Sequence, residues 1–242
     1  MLSIVITAYK EAGTIGRAIE AIIQQKINQK YELLVVAPDK ETEKAVQLYP
    51  QVRYLKDPGE GKPKALNLAL KKARGDILIL TDGDVYLQKD SINELLTYFK
   101  DPKTGIVSGR PMSLNQRSNK FGYYSHLLTD LGAHETRLKR TKEGKMIVCS
   151  GYLYAFRKDL ISSIPENVFS EDAVISHMIF EKGYKTAYAP NAKVWVKYPD
   201  NLADWIKQKK RSAGGYNQLK LYAKSKERMR SFTKEDEFDT HA

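Results

Sequence analysis

The chain has a single cysteine in 242 residues, so no disulfide can form within it, and the sequence fits a reducing compartment. That residue, Cys149, sits beside Ser150 with no Cys/His signature around it, so a small buried side chain is expected there and not a nucleophile. Long apolar runs are also missing. Stretches such as Ile77-Leu78-Ile79-Leu80 fall far short of the roughly 20 residues that cross a bilayer. Met1-Leu2-Ser3 leads straight into Ile4-Val5-Ile6 without a basic, apolar leader, from which a cytoplasmic protein is expected. No segment is rich enough in Pro, Gly or Ser to link two folded units. What remains is a globular composition, 42% hydrophobic and 29% charged, with enough chain for one large α/β core.

The net charge of +11 calls for an anionic partner: nucleic acid, an anionic membrane, or a phosphate-bearing substrate. Its distribution narrows the choice. Residues 205–230 hold nine Lys/Arg and one Glu, so the basic charge belongs to the C-terminal segment and says little about the rest.

The first hundred residues alternate strand and helix. Ile4–Thr7, Leu33–Ala37, Val52–Leu55 and Ile77–Leu80 read as strands. Between them, Thr14–Gln25 carries Ile15, Ile19, Ile22 and Ile23 on one helical face, and Asp39–Glu43 opens a helix through Ala45 and Leu48. Ala65, Leu66, Ala69, Leu70 and Ala73 form a third helical stripe, ended by Gly75-Asp76. Continuous apolar strands separated by helices predict a parallel sheet covered on both faces. From Ile106 to Ala189 the pattern loosens, with a helix over Lys120–Arg137 and a late edge strand over Thr186–Val196. After Trp205 a basic helix is expected, broken at Gly214-Gly215, with an acidic, frayed end over Lys234–Ala242. One domain over 1–204 and a helical extension over 205–242 is the resulting organisation.

Four segments carry chemistry. Thr81-Asp82-Gly83-Asp84 directly follows a buried strand, which delivers its end to the ligand crevice of an open α/β sheet. Two carboxylates flanking a glycine there suit a hard divalent cation, Mg²⁺ or Mn²⁺, though Asp and Gly also favour plain turns. Gly59-Glu60-Gly61-Lys62-Pro63-Lys64 brings lysines to a helix N-terminus, where free N–H groups favour phosphate; the glycine spacing is not that of a P-loop, and solvated surface lysines are the ordinary alternative. Ser170-Glu171-Asp172 opens a helix, with Ser170 as its expected cap; a carboxylate there either completes the first turn or serves as general base. Gln208-Lys209-Lys210-Arg211-Ser212 either clamps a leaving diphosphate or forms a solvated helix face.

Each segment is ambiguous alone, but their order is not. With the opening Ser3-Ile4-Val5-Ile6-Thr7-Ala8-Tyr9-Lys10-Glu11, the sequence resembles the family-two glycosyltransferases of the GT-A fold from Ser3 to about Gly215. The resemblance implies inverting, metal-dependent sugar transfer from a nucleotide diphosphate donor of the UDP or GDP type. Thr7, Ala8, Tyr9 and Glu11 would then border the base and ribose, with Asp39 on the base, Lys64 near the phosphates and Asp82 near the ribose. Asp84 would be the main metal ligand, with Asp82 beside it, and Asp172 the base supported by Glu171. Gln208 and Arg211 resemble the diphosphate-binding Gln-x-x-Arg-Trp element of processive members, with Ser212 in place of Trp. Val36-Ala37-Pro38-Asp39 departs from the consecutive aspartates many members carry.

Two other classes compete. Nucleotidyl transfer would ask for a glycine-rich basic loop after the first strand, and Thr7 to Glu11 has no glycine before Gly13. Nucleic-acid binding would rest on charge and tyrosines alone, and no nucleic-acid partner is expected. The expected acceptor is a sugar, polysaccharide or lipid-linked hydroxyl. The basic residues after Trp205, interleaved with Ile206, Tyr216, Leu219, Leu221, Tyr222 and Met229, suit peripheral docking on an anionic membrane surface.

Overall fold

The computed structural model describes residues 1–210 and residue 214. The expected apolar strands appear as β1 (Leu2–Thr7), β2 (Tyr31–Ala37), β3 (Val52–Lys56) and β4 (Ile77–Asp82). Between them run α1 (Ile15–Ile23), α2 (Lys40–Val46) and α3 (Lys62–Lys72). α2 ends at Val46, short of Leu48, which the expected helix included and which is 79% exposed. α3 stops at Lys72 because the chain turns into Gly75, where a Cβ would lie 2.3 Å from the Ser3 nitrogen. Only a glycine lets the backbone enter β4 this close to β1.

Further along come β5 (Tyr86–Leu87), α4 (Ser91–Thr97), β6 (Thr104–Ser113), α5 (Lys120–Leu127), α6 (Thr136–Lys142), β7 (Leu153–Arg157), α7 (Glu171–Glu181) and β8 (Lys185–Val196). The helix expected over Lys120–Arg137 is α5 and the start of α6, joined by a π-helical stretch over Leu128–Glu135.

The strands form one sheet in the order β3-β2-β1-β4-β7-β6-β8-β5. The parallel sheet read from the sequence holds for β3-β2-β1-β4 and needs correction beyond it. β7 starts where β4 ends, with Leu153 opposite Thr81, so it runs antiparallel to both β4 and β6. β8 lies parallel to β6, and β5 pairs antiparallel with Val194 and Trp195. The strand expected at the edge, β8, is therefore one place in from it.

Alternation along each strand feeds two cores. Ile4, Ile6, Val35 and Ile79 meet Ile15, Ile19 and Ile22 of α1, with Ile92 and Leu95 of α4. Val5, Leu34, Val36, Leu78 and Leu80 meet Ala65, Leu66 and Ala69 of α3, and Val174, Ile175 and Ile179 of α7. Cys149 is buried in this second core, and burial pushes its thiol up to about 12, too high for a nucleophile at neutral pH.

Residues 202–210 are helical and cross the boundary expected at 204/205. Trp205 packs against the first core, its ring centroid 6.0 Å from that of Phe121. Among the described residues no helix is long and apolar enough to cross a membrane. Arg211, Ser212, the helix break at Gly215 and the acidic end lie outside the described residues.

Candidate functional site

The register of the sheet assembles the site. Parallel pairing sets Thr7, the last residue of β1, opposite Asp82, the last of β4, and the Thr7 hydroxyl donates to Asp82 Oδ1 at 3.0 Å. Antiparallel pairing of β7 brings Ser150-Gly151-Tyr152 to the same end of the sheet. The N-termini of α3 and α7 close the other side. Together they enclose a cavity of about 1050 Å³, lined by Thr7, Ala8, Tyr9, Glu11, Asp82, Asp84, Glu171, Asp172 and Gln208. These are nine of the residues singled out from the sequence.

Lys62 joins its two ends. Its ammonium lies 2.6 Å from Asp82 Oδ1 and 2.9 Å from Glu171 Oε1. Burial works against this charge, but Asp82 and Glu171 outweigh it and hold the lysine protonated. Sequence reading favoured Lys64, which does not line the cavity; its ammonium pairs with Glu60 and, at 3.5 Å, with Glu166. The signal that separates them is helical phase. Lys62 extends the buried stripe of Ala65, Leu66 and Ala69 backwards, whereas a residue two places on points about 200° away.

At the end of β1, Glu11 is pushed up to about 8, chiefly by burial and then by repulsion from Asp84 and Asp82. Its Oε2 is buried without a hydrogen-bond partner. Gly83 exists for this carboxylate: a Cβ there would sit 2.3 Å from Glu11 Oε2 and 2.9 Å from Ala8 Cβ.

At the opposite end, Asp172 is pushed up to about 7, by burial first and by Glu171 second, with Lys62 and the N–H groups of Ala173 and Gly151 pulling the other way. Its Oδ1 accepts from Ala173 N at 2.9 Å, and a Cβ on Gly151 would approach Oδ2 to 3.1 Å. Ser170 stands at the N-cap of α7 but makes no side-chain capping bond, contrary to expectation.

Asp39, expected on the base, does not line the cavity. Its Oδ1 caps α2 through Thr42 N at 2.9 Å, and its Oδ2 accepts from Lys10 N at 2.8 Å. This bond fixes Lys10 in a left-handed conformation, φ 58°, and so shapes the loop that carries Tyr9 and Glu11. Although burial raises its carboxyl, those N–H bonds prevail and lower it. The acid that does line this end is Asp57, 6% exposed, accepting from Gly59 N at 2.6 Å. The sequence offered only a turn signature, Asp57-Pro58-Gly59, to mark it. Arg137 of α6 also lines the cavity and was not foreseen. Gln208 reaches the cavity as expected, while its companion Arg211 is outside the described residues.

The end of the cavity around Glu11 and Asp84 suits a divalent cation shared with a ligand. Asp84 lines the cavity beside the partnerless Glu11 Oε2, whereas Asp82 Oδ1 is engaged by Lys62 and Thr7. No group of three or more His, Cys, Asp or Glu among the described residues could hold an ion alone. Magnesium-like ions ordinarily take one or two carboxylates and complete their shell with substrate phosphates and water, which is what this end offers.

A profile described as Glycosyltransferase like family 2 matches residues 1–215. The Azorhizobium caulinodans "N-acetylglucosaminyltransferase" is 25% identical over 169 residues, 65% of this chain and 42% of that protein. The Staphylococcus aureus "Poly-beta-1,6-N-acetyl-D-glucosamine synthase" is 24% identical over 236 residues, 91% of this chain and 55% of that protein. The chain thus spans about half the length of these relatives. Among solved structures, the mannosyltransferase PcManGT from Pyrobaculum calidifontis, in complex with GDP-Man and Mn²⁺, superposes with a TM-score of 0.76 at 20% identity, covering 98% of this chain and 69% of that one. S. aureus TarS in complex with UDP-GlcNAc gives 0.65 at 15% identity, covering 99% and 73%.

Proposed function

Because the chain belongs to the family-two glycosyltransferases, as the sequence resemblance anticipated, we propose that it transfers a sugar from a UDP- or GDP-type nucleotide sugar to an acceptor hydroxyl with inversion. One observation carries the reading: a single cavity is lined at one end by Thr7, Asp82 and Asp84 and at the other by the half-buried carboxylate of Asp172, with Lys62 bridging Asp82 to the neighbouring Glu171. PcManGT with GDP-Man and Mn²⁺, and TarS with UDP-GlcNAc, support the ligand class.

In this reading the nucleoside lies against Thr7, Ala8, Tyr9 and Glu11, with Asp57 beneath it. Asp84 would hold a Mg²⁺ or Mn²⁺ ion, which would supply charge neutralisation at the leaving group. Gln208 and, by the family resemblance, Arg211 would bind the leaving diphosphate. Asp172 accepts the acceptor's proton while the hydroxyl oxygen bonds to the anomeric carbon. The bond from that carbon to the diphosphate breaks, and its electron pair leaves with the nucleotide. A carboxyl raised to about 7 matches the pH at which a general base works best. One displacement inverts the anomeric centre. Glu171, fixed by Lys62, keeps Asp172 oriented and basic.

The extension after Trp205 serves, in the same proposal, to dock the enzyme peripherally on an anionic membrane face, near a lipid-linked or polysaccharide acceptor. Support comes from helix 202–210, which exposes Leu202 and Ile206 beside Lys207, Lys209 and Lys210.

A thermal-shift screen of UDP- and GDP-sugars with and without Mn²⁺ tests the reading. A Mn²⁺-dependent rise in Tm with one nucleotide class is expected. No shift with any of them would remove the donor assignment.

A further inference from the structure

α5 and the π-helical stretch after it are amphipathic the wrong way round. The side turned to β6 is small and polar. Gly122, Ser125 and Thr129 are buried, Ser125 Oγ lies 2.7 Å from Ser113 Oγ, and a Cβ on Gly122 would clash with Gln116 O. The side turned to solvent is large and apolar: Tyr123 is 55% exposed, Tyr124 48%, Leu127 40% and Leu131 59%. Tyr123, Leu127 and Leu131 follow one another at four-residue steps and form one stripe. A single exposed leucine asks for no explanation, but a stripe over an inner face of glycine, serine and threonine is a surface made to be covered.

Two further observations identify the partner. The first is charge. Residues 114–142 hold six Lys/Arg against Asp130 and Glu135, and Asp130 is already paired with Arg110 at 3.4 Å and Arg117 at 3.5 Å. Phe121 meets Trp205, which sets helix 202–210, with its exposed Leu202, Ile206, Lys207 and Lys210, against the start of α5. Leucines and tyrosines fringed by lysine and arginine suit an anionic lipid surface: the apolar groups enter the headgroup boundary while the cations reach the phosphates. A second copy of this chain would instead meet the face with the same positive charge. The second observation is position. β7 is antiparallel to both β4 and β6, so β6 runs the way β4 does and Ser113 leaves the sheet at the cavity's edge. At the other end of the stretch Arg137 lines the cavity, and helix 202–210 contributes Gln208. The stripe is therefore carried by a segment anchored at both ends beside the cavity.

Resting on the reading of peripheral membrane docking above, we propose that Tyr123, Tyr124, Leu127 and Leu131 form the surface that lies against an anionic bilayer, and that this stripe and the basic extension each supply part of the binding. One weak signal gives only marginal attachment, whereas two together hold a protein at a membrane.

The test is co-sedimentation of the full chain, at low salt, with vesicles of phosphatidylcholine alone and of equal parts phosphatidylcholine and phosphatidylglycerol. Wild type is expected to bind the mixed vesicles and not the neutral ones. Tyr123→Ser/Leu127→Ser/Leu131→Ser, which alters no charge, should weaken binding to the mixed vesicles by about tenfold or more and leave Tm and Mn²⁺-dependent nucleotide-sugar binding unchanged. Leu127→Phe/Leu131→Phe should bind at least as tightly as wild type. Unchanged binding by the triple variant overturns the stripe; if truncation after Gly215 removes binding at the same time, the extension docks the enzyme alone. Binding lost in the triple variant but kept after truncation upholds the stripe and removes the extension from docking. Absence of wild-type binding to either vesicle overturns both. A dimer in sedimentation velocity that the triple variant abolishes, without vesicle binding, assigns the face to a second copy and likewise overturns the proposal. If the triple variant is unfolded by circular dichroism, Leu131→Ser alone decides: a loss of about threefold is expected, and no loss overturns the stripe.

Discussion

Replacing Lys62 by Met removes the one cation that touches both ends of the cavity. The side chain keeps its length and packing, so the effect is electrostatic. At an effective dielectric constant near 20, each of its two contacts, at 2.6 and 2.9 Å, is worth about 6 kcal/mol before desolvation. Breaking a buried ion pair from one side costs about 3–5 kcal/mol net. Lys62 is 30% exposed and Glu171 only 9%, so the lower end applies, about 3 kcal/mol at pH 8. In a chain of this size that is a fall in Tm of roughly 6–12 °C. The loss depends on pH. Glu11 and Asp172 hold their protons better in the folded chain than in the unfolded one, so the stability they contribute is complete below pH 4 and lost as pH rises through about 7 and about 8. Without Lys62 both carboxyls rise further, which makes ionising them in the folded chain still costlier. The variant's deficit should therefore be largest at pH 8 and at least halve at pH 5. The same shift moves the acid limb of kcat/KM, expected near pH 7 in wild type, upwards by about one unit, equivalent to about 1.4 kcal/mol. Differential scanning calorimetry at both pH values, with a pH–rate profile, measures it. An equal deficit at pH 5 and pH 8, or an unmoved acid limb, would refute the reasoning.

The remaining variants separate the roles. Asp84→Ala should abolish Mn²⁺-dependent donor binding in calorimetric titration yet leave Tm within a few degrees, because the side chain lines a cavity; donor binding with unchanged Mn²⁺ dependence would remove Asp84 as a metal ligand. Asp172→Asn should bind donor normally and lose transfer by on the order of 100- to 10,000-fold, because an amide cannot take a proton. Transfer within a few-fold of wild type would reduce Asp172 to a helix-terminus residue, and a retained anomeric centre in the wild-type product would exclude single displacement. Gly83→Ala should cost about 1–3 kcal/mol in urea denaturation by driving a methyl into Glu11 and Ala8, and a neutral result would contradict the packing. Co-sedimentation with anionic liposomes should be lost at high salt and on truncation after Gly215, each basic side chain contributing about 1 kcal/mol; equally weak binding to neutral liposomes and anionic ones would exclude membrane docking.

The first half of the fold was legible because its code is local. β1, β2 and β4 are apolar at every central position, since both faces of the sheet are covered, and α1 carries a full isoleucine stripe. The second half is set by pairing partners that the sequence does not name. Leu153–Arg157 is a five-residue strand whose direction follows from entering the sheet at the end of β4, and β5 is two residues long. Antiparallel insertion of β7 is also what carries Ser150 and Gly151 to the cavity.

Within the site, the sequence located carboxylates better than it located their partners. Asp82, Asp84, Glu171 and Asp172 follow strand ends and helix starts, positions where backbone geometry alone turns a side chain towards the crevice. Partners are chosen by phase and distance. Lys64 follows Lys62 by only two places, yet helical phase sends one into the cavity and the other to Glu60 and Glu166. Asp39 is expected on the base from the family resemblance; in the structure it follows β2 and caps α2, its carboxylate accepting from Thr42 and Lys10. Arg137 had no pattern at all to betray it: it belongs to no stripe or motif, and only the folded chain shows it lining the cavity with its Nη1 buried and without a hydrogen-bond partner.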